Sequence, residues 1–127
     1  MSLQSPMKKV LGLGSARQGS GHWWAQRLTA IALVPLTIWF AISLLGMQLG
    51  DYASVVAWIA DPLHVILLIL LVITLVYHSS LGLQVVIEDY VHGATGIAVR
   101  IVVQFLHVVL AVAGIYAVLV VSVGAPA

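Results

Sequence analysis

A histidine deep inside an apolar run is costly, and polar groups in such places usually serve a function. His78 is one, closing the run Leu70-Leu-Val-Ile-Thr-Leu-Val-Tyr-His78, roughly 15 Å along a helix from the polar cluster Glu88-Asp89-Tyr90. At roughly 100° per residue, Thr74, Gly82, Val85 and Asp89 fall near its helical face. Gly82, one turn on, removes a side chain beside the imidazole and would let a flat ring lie against the backbone. A buried haem needs an imidazole ligand, a small neighbour and a cation near the membrane surface for its propionates. Arg27, at the positively polarised N-terminal end of an apolar helix, could supply that cation. The alternative is that His78 hydrogen-bonds another helix and Gly82 permits close packing. Spacing alone leaves both open.

Two further histidines bear on the same chemistry. His64 lies fourteen residues before His78 on nearly the same face, the spacing by which one helix can hold two stacked haems. It also follows Pro62 closely, where a solvated interfacial histidine is the commoner arrangement. His107 stands at nearly the depth of His78 in another apolar run, so a bis-histidine site within the chain is geometrically conceivable. Glu88, Asp89 and Tyr90 read either as a polar stop signal with an interfacial tyrosine or as a quinone site. In the second case the phenol O–H suits a quinone carbonyl, with a carboxylate and an arginine nearby to orient it and handle protons.

The elements that must position these residues are set by composition. Of 127 residues, 62% are hydrophobic and 7% charged, against about 25% charged in a soluble domain. The chain is too apolar to cover itself with a polar surface, so it is a membrane protein of one small domain. Net charge +1 with five Lys and Arg excludes an electrostatic nucleic-acid binder. The absence of cysteine excludes disulfides, zinc thiolate sites and cysteine-held iron–sulfur clusters in this chain. Nothing resembles a soluble enzyme's nucleophile or phosphate loop.

Three stretches suffice to cross a bilayer, which takes roughly 20 apolar residues: Leu28 to Leu49, Pro62 to Ile87 and Ile97 to Val123. The only charge within them is Arg100, near the start of the third, where a long side chain can snorkel to the headgroups. Gly50, Asp51, Asp61 and Pro62 punctuate the first break; Glu88, Asp89, Gly93 and Gly96 the second. Pro35 lies inside the first span and predicts a kink. The expected fold is all-α, with a cytoplasmic tail and interfacial segment over residues 1–27 and a three-helix membrane domain over residues 28–127. Met1 to Gly21 lacks the apolar core of a secretory signal. Lys8, Lys9, Arg17 and Arg27 precede the first span, while the loop from Gly50 to Asp61 has no cation, so the N-terminus is expected inside and the C-terminus outside. That gathers His22, Trp23, Trp24, Arg27, Glu88, Asp89, Tyr90, His92 and Arg100 at the inner face. An aromatic interfacial belt also accounts for the tryptophans and Tyr90.

The run His78-Ser-Ser-Leu-Gly82 followed by Glu88-Asp89-Tyr90, together with Arg27-Leu-Thr-Ala-Ile31, resembles the hydrophobic membrane anchor of succinate dehydrogenase, in particular its smaller anchor subunit. The resemblance covers the three-span layout and, in detail, Gly21 to Val91. It implies a subunit that pairs with a second three-helix anchor, the cytochrome b subunit, binds one haem b between the two, and docks a flavoprotein and an iron–sulfur subunit on the inner face of a bacterial cytoplasmic membrane. On that resemblance His78 matches an axial haem ligand, the other ligand coming from the companion anchor. Tyr90 matches the tyrosine that hydrogen-bonds ubiquinone, Asp89 the acid beside it, and Arg27 an arginine near the haem propionates. His22 lies close to a family histidine at the propionates, its spacing to Arg27 departing from the pattern. Glu88 has no counterpart. Two other functions remain open at this stage: an anchor that binds neither haem nor quinone, and the cytochrome b subunit of another quinone-linked oxidoreductase. Succinate oxidation and fumarate reduction are not distinguished.

Overall fold

The computed structural model describes residues 19–48 and 50–124. The basic segment with Lys8, Lys9 and Arg17 lies outside the described residues, as do Leu49 and the C-terminal Ala-Pro-Ala. Four helices follow one another: α1 (Gly19–Gly46), α2 (Tyr52–Ala60), α3 (Pro62–Tyr90) and α4 (Gly93–Gly124). Among the described residues α1, α3 and α4 are long and apolar enough to span a membrane and α2 is not. With 28, 29 and 32 residues, the three exceed the roughly 30 Å hydrocarbon layer at about 1.5 Å rise per residue, so their ends reach the headgroups.

The three apolar stretches thus form spanning helices, but their ends differ from those expected: the first helix starts earlier and stops at Gly46, the second long helix runs on to Tyr90, and the third starts at Gly93. α1 begins at Gly19, well before the apolar stretch that starts at Leu28, and so makes His22, Trp23, Trp24 and Arg27 helical. Hydropathy marks the part of a helix inside hydrocarbon; hydrogen bonding continues into the polar layer, where water costs the backbone nothing. α1 also runs unbroken through Pro35. The stretch between the first two spans is not simply a turn but holds α2. Two aspartates explain it. Asp51 caps α2, its carboxylate accepting from the Ser54 N–H at 3.1 Å and from the Ser54 hydroxyl, and these bonds hold the Asp51 carboxyl below its usual range. Asp61 caps α3, accepting from the Leu63 N–H at 2.9 Å and the His64 N–H at 3.3 Å. Pro62 occupies the first position of α3, where its missing N–H is harmless. Between the caps, Val56 is buried.

The α3–α4 connection is as tight as helices allow. Gly93 takes φ +70°, and a Cβ on Gly96 would collide with the Val91 carbonyl, a backbone atom that cannot step aside. α3 is the centre of the molecule: α1 packs on one side, α4 on the other, and α1 and α4 do not pack together. The buried apolar residues are accordingly Leu68, Leu71, Leu81 and Ile87 of α3, with Val56 of α2. Most other large apolar side chains face outward, as a membrane solvent permits.

Candidate functional site

His78 is held between α1 and α3. Its Nδ1 lies 2.9 Å from the Thr29 hydroxyl and its Nε2 lies 3.4 Å from the Gln26 side-chain nitrogen. Thr29 is buried, the one buried polar residue among those described, and its hydroxyl also meets the Ala25 carbonyl at 2.8 Å and the Gln26 carbonyl at 3.1 Å. Gly82 faces the same place: a Cβ there would sit 3.6 Å from the Gln26 side-chain nitrogen and otherwise in open space. Room is left at Gly82, where the Gln26 side chain and not the imidazole is the near neighbour, and His78 bonds a neighbouring helix as the alternative reading expects.

Sequence reasoning missed Thr29 and Gln26 as partners of His78. The signal was present once α1 is extended to Gly19. His22, Gln26 and Thr29 recur at four and three residues, a polar stripe on one helical face, and that face turns toward α3. Two atoms on it are buried without a hydrogen-bond partner, His22 Nε2 and Gln26 Oε1. Buried polar atoms are nearly always paired, so two orphans on this stripe mark a place suited to a polar ligand.

The other histidines sit apart. His107 Nδ1 donates to the Val103 carbonyl at 2.7 Å, and its Nε2 lies 3.2 Å from the Ser79 hydroxyl. It therefore addresses the α4 side of α3 while His78 addresses the α1 side, and the two do not form one site. His64 donates from Nδ1 to the Trp58 carbonyl at 2.7 Å and stacks on the Trp58 ring at 4.3 Å, with Trp39 stacked on Trp58 at 5.7 Å. That aromatic cluster joins α1, α2 and α3 at the opposite end of the bundle from Glu88. Among the described residues no group of three or more His, Asp or Glu could hold a metal ion within the chain.

At the end that holds the start of α1, the end of α3 and the start of α4, the polar residues divide into separate groups. Arg27 lies over the Trp23 ring at 5.2 Å, and Trp23 meets Trp24 edge to face. Glu88 pairs with Arg100 at 3.0 Å and accepts from the Gln84 amide at 2.8 Å. A cavity of about 260 Å³ between α3 and α4 is lined by Tyr77, Ser80, Gln84 and Arg100 among others. Asp89 and Tyr90 are exposed, Tyr90 to 80%, and within the described residues no hydrogen bond or ion pair joins either to another side chain. Arg100 is thus engaged by Glu88, a pairing the sequence reading did not make. In the roughly 100° helical progression Glu88 and Asp89 point different ways; Glu88 turns toward α4 and Asp89 lies on the face that carries His78.

The chain is 42% identical over 83 residues to a succinate dehydrogenase hydrophobic membrane anchor subunit of Rickettsia bellii (strain RML369-C), the match covering 65% of this chain and 66% of that protein. The chain thus spans just under two thirds of that relative's length. It is 34% identical over 92 residues to the protein of the same description from Paracoccus denitrificans, covering 72% of this chain and 70% of that protein. A succinate dehydrogenase membrane anchor subunit of Reclinomonas americana is 34% identical over 116 residues, 83% of this chain and 88% of that protein. No solved structure matches the chain. The family model described as succinate dehydrogenase/fumarate reductase transmembrane subunit matches residues 1–121, and the chain, with its three spanning helices, belongs to that family.

Proposed function

We propose that this chain is the smaller membrane anchor of a succinate:ubiquinone oxidoreductase in a bacterial cytoplasmic membrane. In this reading it pairs with a second anchor, the cytochrome b subunit, and carries an iron–sulfur subunit and a flavoprotein subunit that hold the dicarboxylate chemistry. The family membership supports the anchor. The single observation that carries the site is His78: a mid-span imidazole beside Gly82, with one ring nitrogen held by Thr29 and the other meeting only a long contact from Gln26.

His78 Nε2 would hold haem b from this chain, the companion anchor providing the second ligand. The residues fit the group. His22 Nε2 is buried and unpaired on the facing stripe of α1, a ring nitrogen able to donate to a propionate, and the small Gly82 leaves space one turn from the ligand. Haem b supplies, when bound, a one-electron store next to the quinone. Arg27, one residue from Gln26 at the first turns of α1, offers a cation to the propionates, and His22 a second hydrogen-bonding group. Tyr90 and Asp89, exposed at the end of α3, bind ubiquinone in this reading: the phenol donates to a quinone carbonyl and the carboxylate passes protons, of which two-electron reduction to the quinol consumes two.

A second reading has support of its own, since both nitrogens of His78 already have partners within the chain. In that reading His78 only fastens α1 to α3 and the anchor binds no haem. The two readings separate on the purified complex carrying His78→Ala. Loss or broadening of the sharp reduced-minus-oxidised bands of a bis-histidine haem is the expected result. Bands identical to those of the unaltered complex would overturn His78 as ligand and leave the fastening role.

A further inference from the structure

We propose that Thr29 is a positioning residue that fixes the tautomer of His78, keeping the proton on Nδ1 and the lone pair on Nε2. The proposal rests on the reading of His78 as a haem ligand given above. A threonine hydroxyl has one proton to donate. Thr29 Oγ1 lies 2.8 Å from the Ala25 carbonyl oxygen and 3.1 Å from that of Gln26, and carbonyls can only accept. An O···O contact of that length with no proton between would be repulsive, so the hydroxyl proton points into the α1 backbone. Toward His78 Nδ1, at 2.9 Å, Thr29 therefore presents a lone pair, and the proton in that bond comes from the imidazole. With Nδ1 protonated, a neutral ring must carry its lone pair on Nε2.

The far side of the ring agrees. The Gln26 amide nitrogen, a donor, faces Nε2 at 3.4 Å, which is longer than the usual N–H···O or N–H···N range. Nε2 is thus an acceptor with a weak, displaceable partner, the state in which imidazole binds iron. The three intramembrane or near-membrane histidines of α3 and α4 all have Nδ1 engaged, yet His64 and His107 are held by backbone carbonyls. Only at His78 is the holder a side chain on another helix. A backbone carbonyl would have fixed the same tautomer. A hydroxyl whose own proton is already committed does so across the α1–α3 contact, so that ligand orientation depends on α1 being in place.

An oxygen accepting from the distal N–H of a ligand histidine makes the imidazole more basic and favours the oxidised metal. Removing it has two effects: some rings adopt the other tautomer and cannot ligate, and those that ligate do so more weakly. The experiment compares the purified, haem-loaded complex bearing Thr29→Val, Thr29→Ser or His78→Ala. At the potential where unaltered haem is half reduced, the ratio of reduced to oxidised haem in Thr29→Val rises several-fold. Haem passes to excess apomyoglobin about tenfold faster, the low end for loss of an outer partner. Thr29→Ser, which keeps the hydroxyl, holds both values at those of the unaltered complex. If valine hinders assembly, Thr29→Ala removes the same oxygen with less bulk and is read in the same way. A packing role alone would lower the yield of assembled complex without moving the ratio, so an unmoved ratio and transfer rate in the hydroxyl-free variants overturn the proposal. If those values are unmoved while His78→Ala loses its bands, Thr29 alone is excluded. If His78→Ala keeps its bands, the ligand reading falls and this proposal with it.

Discussion

At the scale of single residues, the chain separates two kinds of polar group near the bilayer. His78, Thr29 and Gln26 meet one another between α1 and α3, whereas Asp89 and Tyr90 stand exposed at a helix end. Exposure of that kind suits a site completed by other chains, and it makes Tyr90 testable with little structural side effect. Tyr90→Phe removes one hydroxyl and almost no volume. Losing a neutral hydrogen bond to a quinone carbonyl costs about 0.5 to 1.5 kcal/mol, which at about 1.4 kcal/mol per decade is roughly a two- to tenfold loss of ubiquinone reduction. Succinate oxidation with a soluble artificial acceptor should be unaffected. Full quinone turnover in an assembled Tyr90→Phe complex would leave Tyr90 as an interfacial belt residue. His78, Gly82 and Tyr90 were legible in the sequence because each breaks a local pattern: a histidine in an apolar run, a glycine at helical spacing, a phenol beside two acids. Thr29 was not singled out, since a threonine inside a span breaks no pattern and its meaning depends on which residue of α3 it meets.

At the scale of elements, the same division holds between what composition specifies and what packing decides. The three spans follow from apolar length. Their ends do not, because hydropathy falls off where the hydrocarbon stops while α1 continues through His22 and Trp23. α2 was legible in principle from Asp51 and Asp61, each placed to cap a helix, but a nine-residue helix is shorter than the roughly 20-residue run that identifies a span. The register of α3 on α4 is invisible in sequence, and a close approach at one glycine is part of it. A Cβ on Gly114 would lie 2.9 Å from Val72 Cγ1, closer than side-chain atoms ordinarily come. Gly114 therefore lets α4 approach α3 at Val72, as small residues do between membrane helices. Gly114→Ala should destabilise the α3–α4 contact by about 1–3 kcal/mol, the usual cost of overpacking. Val72 is branched at Cβ and cannot swing its methyls clear, so Val72→Ala should restore most of that loss in the double variant. Thermal or denaturant stability of the detergent-solubilised complex checks the cycle. Additive losses in the double variant would show that the two positions do not meet.

At the scale of the whole molecule, α3 lies between α1 and α4, which do not pack on each other. The three spans therefore leave broad apolar faces that only lipid or another chain's helices can cover, and the two intramembrane histidines face opposite flanks of α3. Charge is unevenly shared along the bundle. Arg27 and Arg100 stand at the end that carries Glu88, Asp89 and Tyr90, while the other end presents Asp51 and Asp61 without a cation among the described residues. Lys8, Lys9 and Arg17 precede α1 in sequence. Since flanking cations stay on the cytoplasmic side, the end with Tyr90 is expected inside, where the proposed quinone site would draw its protons from the cytoplasm. The chain has no cysteine, so single cysteines give a clean test. Ala53 on α2 and Ala94 at the start of α4 are both exposed, and neither contributes a side-chain hydrogen bond. An impermeant maleimide should label Ala53→Cys in spheroplasts and spare Ala94→Cys. In inside-out vesicles stripped of peripheral subunits the pattern should reverse, the stripping removing any docked chain that shields Ala94. Labelling of Ala94→Cys in spheroplasts, with Ala53→Cys protected, would invert the molecule. Tyr90 and Asp89 would then face away from the cytoplasm, and an electron path from a cytoplasmic iron–sulfur subunit to a quinone bound there would have to cross most of the bilayer.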